Sequence, residues 1–100
     1  MNSSDLSTVR ALVAPIAERY GVDRMYLFGS RARGDNRPDS DYDFLVSCGK
    51  IHGLWKFIGF WTALEEAFST SVDVITDDTV DRELLAEARK DALLVYGSER

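Results

Sequence analysis

A chain of 100 residues, 45% hydrophobic and 29% charged, suits one small globular domain with a single core. Its net charge of −5 argues against a broad phosphate-backbone footprint, and so against direct nucleic-acid binding, while leaving room for a single nucleotide held by local donors and a cation. The single cysteine, Cys48, cannot close an internal disulfide, no run is long and apolar enough to span a membrane, and the amino terminus lacks a signal-peptide pattern, so the expectation is a cytoplasmic domain with no membrane contact.

Ser4 and Asp5 offer a cap for a first helix in which Leu6, Val9, Leu12, Val13, Ile16, Ala17 and Tyr20 recur at helical spacing. Pro15 implies either a kink or a restart there, and Gly21 supplies the stop. Arg24 to Phe28 reads as a strand and Ser30 to Arg33 as the start of a short helix. Asp35 to Asp39 is a loop by composition, and Tyr42 to Ser47 alternates as a second strand. Gly49 and Gly53 bracket a turn before the most apolar helix, Leu54 to Phe68. Leu54, Phe57, Ile58, Phe60, Trp61, Leu64 and Phe68 share its broad stripe. Trp55 lies off that stripe, either covering a neighbouring loop or joining Phe60 in a partner interface. Ser71 to Thr76 is a third strand. The turn Asp77-Asp78-Thr79 then caps a last helix from Val80 to Asp91, and Leu93 to Tyr96 forms an extended or helical tail. No repeat or linker divides residues 1–100.

The chemistry concentrates around the first two strands. A strand has a period of two, so Asp41 and Asp43 project from one face while Tyr42 points away. Carboxylates that close repel each other unless a cation lies between them, and Mg²⁺ takes carboxylate and phosphate oxygens as ligands. Gly29 and Ser30, at a strand-to-helix turn, offer N–H groups and a hydroxyl to a phosphate. Together these parts describe a site for a metal-bound nucleoside triphosphate; the bland alternatives are a solvated carboxylate pair and a plain tight turn. Asp73 stands among Val72, Val74 and Ile75, where a charge needs a partner. His52 has no second His or Cys nearby for a zinc site and no partner for a hydrolytic triad. Cys48 reads as a packed thiol, and the Gly-Ser turn lacks the Gly-Lys-Ser/Thr of a Walker A loop.

The run Gly29-Ser30-Arg31-Ala32-Arg33-Gly34, followed by Ser40-Asp41-Tyr42-Asp43, resembles the minimal nucleotidyltransferase (MNT) branch of the DNA polymerase beta-like nucleotidyltransferase superfamily, and the resemblance extends over nearly the whole chain. It implies an α/β fold with a short mixed sheet flanked by helices, in the order α-β-α-β-α-β-α. It also implies that Asp41, Asp43 and Asp73 are the catalytic, metal-binding carboxylates, with two Mg²⁺ ions and ATP as substrate. Asp73 would help to deprotonate the acceptor. Gly29, Ser30 and Arg33 would hold the triphosphate. Asp39 and Ser40 read as shaping the loop, with Ser40 also a candidate donor at the nucleotide site, and Arg31 is either a further contact there or only a surface partner of Asp35 or Asp39. Larger relatives carry a helical acceptor domain for which this chain ends too soon, so the acceptor belongs to a partner or the chain self-associates. In MNT pairs with a helical HEPN-type ribonuclease toxin, the MNT protein is the antitoxin and transfers AMP to a tyrosine of the toxin. The alternatives are nucleotide transfer to a small hydroxyl compound, as in antibiotic-modifying relatives, and neutralisation by contact alone.

Overall fold

The computed structural model describes residues 3–49, 51 and 53–98. Its elements are α1 (Ser3–Tyr20), β1 (Arg24–Phe28), α2 (Ser30–Arg33), β2 (Tyr42–Ser47), α3 (Leu54–Phe68), β3 (Val72–Thr76), α4 (Arg82–Asp91) and β4 (Leu93–Tyr96). The expected α/β fold stands, with one addition: Leu93–Tyr96 is a fourth strand. It pairs antiparallel with β1 and completes a mixed sheet in the order β3-β2-β1-β4. The sheet is antiparallel at β1–β2 and parallel at β2–β3, the parallel pair being joined through α3.

The two faces of the sheet are covered unequally. Met25, Leu27, Phe44 and Val46 share one face and enter a single core with Val9, Val13 and Ala17 of α1 and Phe60 and Leu64 of α3. Leu45, of opposite parity, is buried outside that core, as are Leu85 and Ala88 of α4. Central position explains why Phe44, Leu45 and Val46 are buried in sequence despite the period of two: β2 has cover on both sides. Asp43 has the parity of Leu45 and therefore lies on the face opposite the main core, near the start of β2.

Several boundaries differ from the sequence expectations. α1 runs through Pro15 without a restart; the proline lies on the exposed side of a helix continuous from Ser3 to Tyr20. The described helix already includes Ser4 and Asp5, whose side chains lie outside the described residues, as does His52. Asp81, not the preceding turn, caps α4, its carboxylate accepting from the Leu84 N–H at 3.0 Å, and Val80 is left exposed before the helix. On α3, Phe60 is wholly buried beside Tyr20, with ring centroids 6.0 Å apart, so it forms no part of an exposed surface. Trp55 is 84% exposed, with Leu54 and Ile58 also exposed nearby on the helix. Trp61 donates from Nε1 to the Val72 carbonyl at 2.6 Å and ties α3 to β3.

The contrast between the two aromatics is measurable. Phe60→Ala is expected to destabilise the fold by about 3–5 kcal/mol through a cavity, whereas Trp55→Ala should change stability by less than about 0.5 kcal/mol. Urea unfolding of both variants checks this, and comparable losses would contradict the placement of Trp55.

Candidate active site

β1 ends at Phe28, and the chain turns at Gly29 with φ 76° and ψ −156°, a conformation reserved for residues without a Cβ. A Cβ at Gly29 would also collide with Asp43 Oδ2. The turn therefore has to be glycine for two reasons, backbone angle and the approach of the carboxylate. Beyond it, the Gly29 carbonyl accepts from the N–H groups of Ala32 and Arg33, and the Ser30 carbonyl from those of Gly34 and Asp35. Among the described residues, the N–H groups of Ser30 and Arg31 and the Ser30 hydroxyl make no hydrogen bond. These donors stand where the turn meets the acidic strand, which is the arrangement an anionic phosphate requires.

Asp43 and Asp73 are partners in the parallel register, side by side on adjacent strands. The Asp43 carboxyl is pushed up to about 6. Burial is the largest cause, followed by the charge of Asp73, a hydrogen bond shared with Asp73 and the charge of Asp41, while Arg33 pulls the other way. Asp41 is exposed, one residue before β2, and acts on Asp43 through charge. Among the described residues, no three carboxylates are drawn tightly enough together to hold an ion as they stand. The donor set nevertheless suits a hard divalent cation: two facing carboxylates with a third nearby, beside a turn with free donors.

The two arginines differ in role. Arg31 donates from Nε and Nη2 to the Ser40 carbonyl at 3.0 and 2.7 Å, and from Nη2 to the Pro38 carbonyl at 3.2 Å. Its guanidinium lies 4.0 Å from the Tyr42 ring centroid. It pairs with neither Asp35 nor Asp39, the surface partners the sequence offered as one alternative; it clamps the Gly-Ser turn to the loop that delivers Asp41. Nothing in the sequence pointed to this, since carbonyl acceptors have no residue signature. Arg33 is exposed and bridges Asp35 at 3.0 Å and Asp91 of α4 at 2.9 Å, bonds that raise its pKa. Its Nη2 has no partner among the described residues. Ser40 is occupied in the loop, its hydroxyl accepting from the Arg37 N–H at 2.9 Å.

An α/β domain that sets a Gly-Ser turn against two acidic strands has the architecture of a nucleotidyltransferase. The family model described as "Polymerase beta, Nucleotidyltransferase" matches residues 12–100, and the chain belongs to that family. A Methanocaldococcus jannaschii protein placed by its name among protein adenylyltransferases is 32% identical over 76 residues, covering 76% of this chain and 82% of its own. Protein adenylyltransferase MntA of Thermococcus cleftensis is 40% identical over 60 residues, or 60% of this chain and 61% of that one. Among solved structures, one described as a minimal nucleotidyltransferase superposes with a TM-score of 0.75 at 30% identity, covering 93% of this chain and 95% of that one. The MNT antitoxin in complex with a tri-AMPylated Shewanella oneidensis HEPN toxin shares the fold, with a TM-score of 0.71 at 15% identity over 93% of this chain and 73% of that one.

Two outcomes follow from this geometry. Asp43 has a folded value raised from 3.8 to about 6, so the folded state binds its proton more tightly. Its favourable contribution is complete below 3.8 and is lost as pH rises through about 6. In chelator, Asp43→Asn should therefore raise the Tm above about pH 7 and leave it little changed below about pH 4. Parallel Tm-against-pH curves for the two proteins would contradict the carboxylate crowding. Gly29→Ala should cost about 1–3 kcal/mol from the backbone conformation alone, and it should weaken ATP binding beyond what the melt explains. Calorimetry on the folded fraction separates the two effects.

Proposed function

We propose that this nucleotidyltransferase is a Mg²⁺-dependent protein adenylyltransferase that moves AMP from ATP to a tyrosine of a helical HEPN-type toxin and so acts as its antitoxin. The observation that carries the reading is the Asp43–Asp73 pair in register, with Gly29 against Asp43 Oδ2 and the unpaired donors of Ser30 and Arg31 beside it. The relatives named as protein adenylyltransferases and the fold shared with an MNT antitoxin support the choice of acceptor.

In this reading Asp41, Asp43 and Asp73 would hold Mg²⁺, which would supply charge neutralisation of the triphosphate when bound. Ser30, through its N–H and hydroxyl, orients the β- and γ-phosphates, and the unpaired Nη2 of Arg33 reaches them while Asp35 and Asp91 hold the rest of its guanidinium. Arg31 keeps the turn and the Asp41 loop in fixed relation, which supplies the positioning that phosphoryl chemistry demands. Asp73, at the sheet edge and exposed, accepts the phenolic proton as the tyrosine oxygen bonds to the α-phosphorus and pyrophosphate leaves opposite.

The test combines this protein, ATP, Mg²⁺ and a helical HEPN-type toxin protein, and weighs the latter by mass spectrometry. An AMP-sized gain on a tyrosine is expected, reduced on the order of 100-fold or more by Asp43→Asn and by Asp41→Ala. An unmodified partner that is inhibited equally by the wild type and Asp41→Ala would establish neutralisation by contact. Modification of a small hydroxyl compound instead would establish the antibiotic-type activity.

A further inference from the structure

The outer edge of the sheet at β3 is only partly closed. The Tyr42 N–H donates to the Ser71 carbonyl and the Asp77 N–H to the Val46 carbonyl, so odd-numbered residues of β3 turn their backbone groups toward β2. Val72, Val74 and Thr76 turn theirs outward. At Val72 two side chains of α3 occupy these groups: the carbonyl accepts from Trp61 Nε1 at 2.6 Å and the N–H reaches Glu65 at 3.4 Å. The Thr76 carbonyl accepts from the Thr79 N–H at 3.1 Å. Among the described residues, the N–H and carbonyl of Val74 and the N–H of Thr76 have no partner. Free edges of this kind are templates for another strand.

Beside the free groups lies a cleft of about 470 Å³ between β3, α3 and α4, with Ile51, Phe57, Val74, Ile75 and Leu84 as its apolar walls. Leu84 is 43% exposed. Asp78 lines the same cleft, and Glu65 and the exposed Asp73 stand toward the other end of the strand. Arg82, at the rim, is turned to the Thr79 carbonyl at 3.4 Å. The negative field reaches the Cys48 thiol, which is pushed up by burial first and then by Asp78 and Asp77.

We propose that the Val74–Thr76 edge is a docking surface for an extended segment of a partner protein, which adds to the sheet as a strand, places an apolar side chain in the Phe57–Leu84 cleft and sets a Lys or Arg against Asp78. Strand addition draws affinity from main-chain hydrogen bonds and specificity from alternate side-chain pockets, and both halves are present here. Charge selects the occupant. A second copy of this chain, of net charge −5, would bring Asp73 and Asp78 against the same carboxylates, whereas a basic segment is attracted. The strand that offers this edge also carries Asp73, so a docked segment runs alongside the candidate catalytic carboxylates. The surface itself is independent of the transfer reaction proposed above.

A displayed library of random nine-residue peptides tests the proposal, with isotope-labelled protein used to map the bound peptides. Enriched peptides should pair an apolar residue with nearby Lys or Arg and shift the Val74 and Thr76 amides most. Val74→Pro removes an outward N–H and alters one wall of the cleft while leaving the hydrogen bonds to β2 in place, and should weaken binding at least 10-fold while ATP binding persists. Leu84→Glu, which leaves the strand untouched, should weaken it similarly and provides the test if the proline variant does not fold. Enriched peptides that shift other amides, or that bind both variants normally, overturn the proposal. So does a failure to enrich any peptide, or a concentration-dependent dimer that Val74→Pro dissociates, which would make a second copy the occupant.

Discussion

The arrangement depends on a carboxylate placed where it is costly to ionise. Asp43 sits on a central strand, beside Asp73 on the next strand and under the backbone of Gly29. Burial and like charge both oppose its ionisation, which is why its pKa rises to about 6. A purely structural position would favour an apolar residue here, as Leu45 two positions along shows by being buried on the same face. The surroundings are built to tolerate the strain. The parallel register sets the Asp43–Asp73 approach, glycine makes room for Oδ2, and Arg33 offsets part of the negative charge.

Rigidity around that point comes from interactions that cross the chain. Arg31 joins the α2 turn to the loop before β2 by three hydrogen bonds and a stacked ring, which ties the turn that carries the free donors of Ser30 and Arg31 to the acidic strand. Arg33 joins the same turn to the last residue of α4. Beneath them, α1 and α3 bury one face of the sheet with Phe44, Phe60, Leu27 and Met25, while α4 covers the other with little more than Leu85 and Ala88. A domain of this size has one substantial core, and here the lightly covered face is the one that carries Asp43 and Asp73.

The edges of the sheet receive separate treatment. Arg10 donates to the Leu94 carbonyl of β4 at 3.1 Å, and Trp61 and Glu65 engage both groups of Val72. Among the described residues, Val74 and the N–H of Thr76 remain open on β3, next to an apolar cleft. Negative charge stands at both ends of that stretch, Asp73 and Glu65 at one and Asp78 at the other.

Local pattern alone determined a good deal. The bounds of β1, β2 and α3 were legible because alternation, helical stripe and the bracketing glycines agree with one another. The grouping of the candidate residues was legible in part for the same reason: Gly29, Ser30, Asp41 and Asp43 are close in sequence, and the face taken by Asp43 follows from the period of two along β2. Long-range packing decided the rest. Leu93–Tyr96 became a strand only because β1 presents a free side to it, and Trp61 became an edge cap because β3 lies across α3. Phe60 and Trp55 share a helix, yet one is enclosed and the other bare, since burial depends on which neighbours cover each side of the stripe. The clamp by Arg31 and the pairing of Arg33 with Asp91 likewise join residues through partners that no sequence spacing encodes, because carbonyl oxygens and distant helix ends are placed by the finished fold.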